Sequence, residues 1–175
     1  MNKTFAITAG HSDTDPGAVA NGRKEADVAR DMRNMVAAKL RERGHKVFTD
    51  GQHHENLPLT VAITLAKQAN VAVEFHCNAA ASAQANGVET ISLPKDKALS
   101  QSISKAVSGA LGVRMRGDAG WIDQSKSARG RLGFVNASGL IVELFFISNP
   151  AELAAWNAKK WLVASAVADV LAGSK

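Results

Sequence analysis

The run Leu140-Ile141-Val142-Glu143-Leu144-Phe145-Phe146 constrains the fold of this chain more than any other stretch. It is apolar apart from Glu143 and rich in β-branched and aromatic residues. Such a segment suits a strand buried on both faces, at the centre of a sheet. A sheet of that kind needs helices against each side.

The rest of the sequence supplies them in alternation. Thr4 to Ala9 alternates as a strand, with Phe5, Ile7 and Ala9 on one face. Residues 10–22 read as a loop around the turn Asp15-Pro16-Gly17. Glu25 to Arg43 reads as an amphipathic helix that buries Val28, Met32, Met35, Val36 and Leu40 and stops at Gly44. Lys46–Thr49 is a short strand. Leu57–Ala69 is a helix with Pro58 in its first turn. Val71–Phe75 is a strand ending at His76, and Gly87–Leu93 is another. Lys97–Leu111 is a helix, and Gly112–Gly133 reads as a long loop. Asn149-Pro150 opens a closing helical region carrying Trp156, Trp161, Val163, Val167 and Leu171. This order predicts an α/β fold, a largely parallel sheet flanked by helices on both faces, with residues 1–175 forming one domain.

Composition narrows the function classes. Apolar residues are 46% and charged residues 21%, which excludes a wholly disordered chain. No apolar run reaches the roughly 18 residues of a membrane span, so no membrane insertion is expected. One cysteine, Cys77, rules out a disulfide framework. The start, from Met1 to His11, has too short an apolar core for a secretory signal. The expectation is a product of the cytoplasm that reaches an outside target only on release. A net charge of +5 suits an anionic partner such as nucleic acid, anionic lipid or a bacterial wall. Nucleic acid is the poorest of these: aromatics are 5%, tyrosine is absent, and several phenylalanines sit in core-type strands. No exposed apolar stripe stands out, so the chain is expected to be a monomer.

In open α/β sheets ligands gather at the carboxyl ends of strands. His11 and His76 each follow a predicted strand, Glu25 opens the first long helix, and Glu143 interrupts the apolar run. A carboxylate there is costly unless it is paired or its pKa moves. It either points out from an edge strand, pairs with an arginine, or sits tuned beside a metal or substrate. His11, Glu25 and His76 could supply a His₂Glu set for zinc if their strands are neighbours, although no local HExxH motif exists. Glu74 shares the face of His76 and could support a metal ligand or pair with a lysine or arginine. His53 and His54 read as solvated, His45 as surface, and Cys77 as a buried inert thiol.

These residues resemble a known family. Ile7-Thr8-Ala9-Gly10-His11, then Asp15-Pro16-Gly17-Ala18 and Glu25, is similar to the opening motif of the zinc-dependent N-acetylmuramoyl-L-alanine amidases of the amidase-3 type. Phe75-His76-Cys77-Asn78-Ala79, Gly87-Val88-Glu89-Thr90 and Val142-Glu143 followed by Ser148-Asn149-Pro150 continue the match in order. The resemblance implies the twisted amidase-3 sheet, a phosphorylase/hydrolase-like fold. It implies one zinc ion held by His11, Glu25 and His76, with Glu143 as catalytic carboxylate. The substrate it implies is peptidoglycan, cut between N-acetylmuramic acid and L-alanine by a zinc-activated water. The compact layout resembles phage lysis enzymes (endolysins), for which release to the wall would be of holin type. The chain departs from the family at Glu74, where serine is usual, and after Glu143. Arg114, Arg116, Arg129 and Arg131 are candidates for holding carboxylates of the stem peptide, foremost Arg116 and Arg131. Two other readings compete: a zinc peptidase cutting within the stem peptide, and a non-catalytic wall-binding module.

Overall fold

Residues 3–128 and 130–174 are described by the structure, a computed structural model. Strand β1 (Thr4–Ala9) leads through a small hairpin, β2 (Val19–Ala20) and β3 (Arg23–Lys24), into helix α1 (Glu25–Glu42). Then come β4 (Lys46–Phe48), α2 (Leu59–Ala66), β5 (Val71–Asn78), β6 (Glu89–Ser92) and α3 (Lys97–Leu111). The chain closes with β7 (Trp121–Asp123), α4 (Gly133–Asn136), β8 (Gly139–Phe146) and α5 (Pro150–Gly173).

The main sheet has the order β4-β1-β5-β8-β6-β7. The first four strands are parallel to their neighbours, β6 runs antiparallel to β8, and β7 is parallel to β6. The largely parallel sheet expected from sequence is therefore mixed at one side. The short link 79–88 carries no helix, and parallel neighbours need a crossover of a dozen or more residues. The chain turns back instead.

Sheet alternation separates two faces. Phe5, Ile7, Val73, Phe75, Val142 and Leu144 belong to the larger core, against which α1, α3 and α5 pack. Trp156 of α5 is fully buried there and stacks on Phe145 at 5.6 Å. The apolar run is thus an interior strand, as its composition requires. The opposite face carries a smaller cluster of Ala6, Ala72, Ile91, Phe134 and Ile141 under the short helices α2 and α4. Pro58 stands just outside α2, as its N-cap, rather than in its first turn. The closing region is one unbroken helix. Asn149 caps it by accepting the N–H groups of Ala151 and Glu152, with Pro150 in the first turn. The segment read as a long loop holds β7 and the first residue of α4, elements too short to leave a periodic signature.

One buried ion pair fixes the end of β1. Arg33 of α1 donates from Nη1 to Asp50 at 3.2 Å, and both side chains are fully buried. Asp50 also accepts the N–H of Ala9. Burial pushes the Asp50 carboxyl up to about 6, against the opposing pull of the Arg33 charge. Arg33→Met leaves that carboxylate buried without its cation and should cost about 3–5 kcal/mol of stability, read by urea denaturation. Adding Asp50→Asn should recover part of the loss. An unchanged midpoint in the single variant would show that the pair does not anchor β1.

Candidate metal centre

The helix-poor face of the sheet holds a cluster of ionisable groups. Glu74 and His76 project from it on β5. Glu143 on β8 is the register partner of His76, and Glu89 on β6 is the register partner of Glu143. His76 therefore lies inside its strand rather than past its end. His11 follows β1, and Glu25 is the first residue of α1.

The loop between β1 and α1 is shaped to bring these groups together. Gly10 donates its N–H to the Phe75 carbonyl. A Cβ at Gly10 would lie 2.1 Å from the His76 ring, so no larger residue lets β1 end there. His11 itself is left-handed, with φ 68°, a conformation that costs energy for a residue other than glycine. The turn returns through Asp15, whose Oδ1 accepts the N–H of Gly17. Gly17 has φ +64°, and a Cβ on it would press against the His11 ring and the Glu25 carboxylate. The Glu25 N–H donates to the Ala18 carbonyl while the Ala18 N–H donates to Glu25 Oε2.

Glu25 is the hub. Its Oε1 lies 2.9 Å from His11 Nε2 and 3.0 Å from His76 Nδ1, and it also accepts the N–H of Cys77. One donor atom from each of His11, Glu25 and His76 falls within 4.8 Å of the others, a spacing that one metal ion can bridge. The remaining ring nitrogens are also held: His11 Nδ1 by Asp15 at 2.9 Å, and His76 Nε2 by Glu74 at 3.1 Å. Carboxylates in that position fix the ring orientation and tautomer of metal-binding histidines.

The electrostatics follow from burial. Burial disfavours charge on His76, but its hydrogen bonds to Glu25 and Glu74 outweigh that and hold its pKa well above 6.5. His11 is raised in the same way, burial opposing and Glu25 prevailing. Burial acts to raise Glu25, and the hydrogen bonds from the two histidines override it, leaving the carboxyl far below its usual range. Burial pushes Glu143 up to about 7, with the His76 charge opposing and those of Glu25 and Glu89 adding. Oε2 of Glu143 is shut off from solvent with no hydrogen-bond partner among the described residues. That group is neither on an edge strand nor paired with an arginine.

A cavity of about 720 Å³ opens here, lined by His11, Glu25, Glu74, His76 and Glu143 at one end. Leu132, Phe134 and Ile141 form an apolar wall, and among the described residues Arg116 and Lys126 line it with basic side chains. Glu74 pairs with His76 rather than with a lysine or arginine. Arg131 is exposed and is not among the lining residues. Arg114 is exposed and donates to the Asn86 carbonyl. Arg129 lies outside the described residues. His53 and His54 are exposed, and Cys77 is a buried thiol in the larger core with its pKa pushed up by burial. His45 is half-buried, its ring edge-on to Phe5. Two groups escaped sequence reasoning in these roles. Asp15 read only as turn chemistry, and Glu89 read only as part of a strand motif.

Comparison with known proteins identifies the family and the fold. Residues 6–172 match the N-acetylmuramoyl-L-alanine amidase family, Amidase_3. LytC of Bacillus subtilis, an N-acetylmuramoyl-L-alanine amidase, is 27% identical over 159 residues, which is 87% of this chain and 31% of LytC. The chain thus spans about a third of that relative. A crystal structure from Neisseria meningitidis, assigned as an N-acetylmuramoyl-L-alanine amidase, superimposes with a TM-score of 0.89 at 44% identity. The match covers 97% of this chain and 94% of the other. The catalytic domain of the amidase CwlV from Paenibacillus polymyxa shares the fold, with a TM-score of 0.82 at 24% identity over 97% and 96% of the two chains.

The shifts set a pH dependence for the metal-free protein. His11, His76 and Glu143 have folded-state pKa values above their unfolded ones, so each stabilises at low pH and loses that contribution as pH rises through its folded value. Glu25, held low, contributes above its unfolded pKa of 4.5 and loses that as pH falls towards its folded value. The unfolding temperature in EDTA should therefore fall as pH rises from about 5 through about 7 and on above the histidines' ordinary value of 6.5. Zinc chloride should reverse most of that fall, because metal displaces the imidazole protons. A flat profile in EDTA would contradict this electrostatic account.

Proposed function

This chain belongs to the N-acetylmuramoyl-L-alanine amidase family, and on that premise we propose that it hydrolyses peptidoglycan at the amide joining the lactyl group of N-acetylmuramic acid to L-alanine. The observation that carries the proposal is Glu143. It is a carboxyl with its pKa near neutrality and an unpartnered oxygen, facing the same cavity as the His11–Glu25–His76 cluster.

The cluster fits one zinc ion by its donor chemistry: two imidazole nitrogens and a carboxylate oxygen, the three protein donors that a catalytic zinc site uses. His11 Nε2, Glu25 Oε1 and His76 Nδ1 would hold it. A zinc ion so held supplies Lewis acidity and lowers the pKa of water to about 7. His11 Nδ1–H would then donate to Asp15 and His76 Nε2–H to Glu74, contacts that fix the tautomer and orientation of both rings. Glu143 takes a proton from the attacking water and returns it to the nitrogen of the departing L-alanine. A pKa close to the working pH serves both transfers.

The same proposal has finer parts. The chain acts as a monomeric single domain, and the +5 charge suits an anionic wall. Its place is that of a lysis enzyme acting on the wall.

Digestion of purified sacculi, with mass spectrometry of the new ends, tests the reaction. Glycan strands bearing free lactyl carboxyls and peptides beginning at L-alanine are expected. Cuts inside the peptide would replace the amidase by a zinc peptidase, and binding without cleavage would indicate a wall-binding module. Glu143→Gln should retain zinc and the melting temperature while losing about 10²–10⁴-fold in turnover. Activity near wild type in that variant would remove Glu143 from the reaction. His76→Ala should lower zinc occupancy, and full occupancy would remove His76 from the ligand set.

A further inference from the structure

Arg116 is built into the cavity more elaborately than a solvated surface cation would be. Its Nε donates to Glu89 Oε2 at 2.6 Å, and its guanidinium lies over the Phe146 ring at 4.9 Å. The other oxygen of Glu89 accepts from Asn78 Nδ2 at 3.2 Å. Glu89 is thus engaged at both oxygens, and it takes only the inner edge of the arginine. Nη1 makes one long contact, 3.5 Å, to the Asn86 carbonyl. Nη2 has no hydrogen-bond partner among the described residues, and Arg116 lines the cavity that holds Glu143.

The support beneath it has its own device. Between the pairs His76–Glu143 and Asn78–Phe146 the register shifts, with one extra residue in β8. That bulge puts both Leu144 and Phe145 into the larger core and returns Phe146 to the side of Arg116. Glu152, nearly fully buried, holds the bulge by accepting the N–H of Phe146 at 2.8 Å and that of Gly87 at 2.7 Å. Gly87 begins the segment that carries Glu89. One buried carboxylate therefore aligns both the ring and the anchor that hold Arg116.

We infer that Arg116 is a carboxylate receptor, which binds a free carboxylate of the peptide just beyond the scissile amide and makes the enzyme selective for acidic over amidated stem peptides. A guanidinium held at Nε, with Nη2 free among the described residues and Nη1 in only one long contact, presents the planar fork that pairs two-pronged with a carboxylate. The reach fits. Glu89 and Glu143 are direct cross-strand partners, with Cα atoms about 5 Å apart, and Arg116 is one hydrogen bond further out. An extended peptide advances about 3.3 Å per residue, which places the carboxylate on one of about the first three residues of the peptide. This inference rests on the amidase reading.

The test uses MurNAc-L-Ala-D-Glu and its diamide. Each is titrated calorimetrically into zinc-loaded protein carrying Glu143→Gln, and each is assayed for cleavage by the wild type. The acid should bind at least about tenfold more tightly than the diamide. Arg116→Gln should bring the two within about threefold, by weakening the acid and leaving the diamide unchanged. Arg116→Lys, which keeps the charge and loses the fork, should retain only part of the preference. Glu89→Gln, which frees the anchored edge, should lower it less than Arg116→Gln. If Arg116→Gln weakens both ligands equally, or if the wild type does not distinguish them, Arg116 is no receptor, while cleavage of either keeps the amidase reading. Failure of both forms to bind or be cut overturns the two together.

Discussion

The structure depends on how one carboxylate is satisfied. Glu25 is buried, and a buried carboxylate without partners costs several kcal/mol. It has four: the imidazoles of His11 and His76 and the N–H groups of Ala18 and Cys77. They come from the loop after β1, from a ring on β5, from the approach to α1, and from the β5 backbone. No single element can supply them, so all must arrive together. That requirement explains local features that look unfavourable alone. His11 accepts a left-handed backbone, Gly10 gives up its side chain to the His76 ring, and Gly17 turns where a Cβ would strike His11 and Glu25. The left-handed His11 costs of order 1–3 kcal/mol, comparable to what a charge-assisted hydrogen bond returns.

The two faces of the sheet divide the remaining work. Three long helices, α1, α3 and α5, cover one face and bury most of the apolar side chains. Among the described residues the other face has only the helices α2 and α4, which cover Ala6, Ala72 and Ile141 and leave the carboxyl halves of β5 and β8 to the cavity. His76 and Glu143 lie in that uncovered half, side by side in register. The cavity is thus a consequence of helix length. Longer helices on that face would bury the cluster in apolar contact, where its charges could not be met. The bulge in β8 and the Glu152 carboxylate finish the arrangement by returning Phe146 to the cavity side.

Much of this was legible from the residues. The apolar run around Glu143 gave an interior strand, and Lys97–Leu111 formed a helix over those residues. His11, Glu25, His76 and Glu143 were singled out by their places on strands and at a helix start, and the structure brings them together. The rule that selected His76 was nevertheless inexact, because His76 sits within β5 and faces the cavity through sheet alternation. The better signal was Val71, Val73, Phe75 and Cys77 alternating with Glu74 and His76. The antiparallel direction of β6 depends on the absence of a crossover helix, and β7 and α4 are too short to show a period. Asp15 acts through His11, four residues before it but across a turn rather than along a helix, and Glu89 acts through Arg116 in the segment between α3 and β7. Neither pair falls on a periodic element that would announce it.

The charge balance of the cavity ties these points together. Asp15, Glu25, Glu74, Glu89 and Glu143 crowd around it, against His11, His76, Arg116 and Lys126. Arg116 offsets Glu89, which leaves the carboxylates around the histidines to be met by something else. In the metal-free protein both imidazoles are drawn towards their protonated forms, His76 strongly. Two protons there carry the charge of one divalent cation, at the nitrogens that can ligate it. The buried carboxylates are thus arranged for a double positive charge whether protons or a metal provide it. Glu143 is the exception. Burial outweighs the pull of the histidine charges on it, and its Oε2 has no hydrogen-bond partner among the described residues, so its proton is poised to move near neutrality.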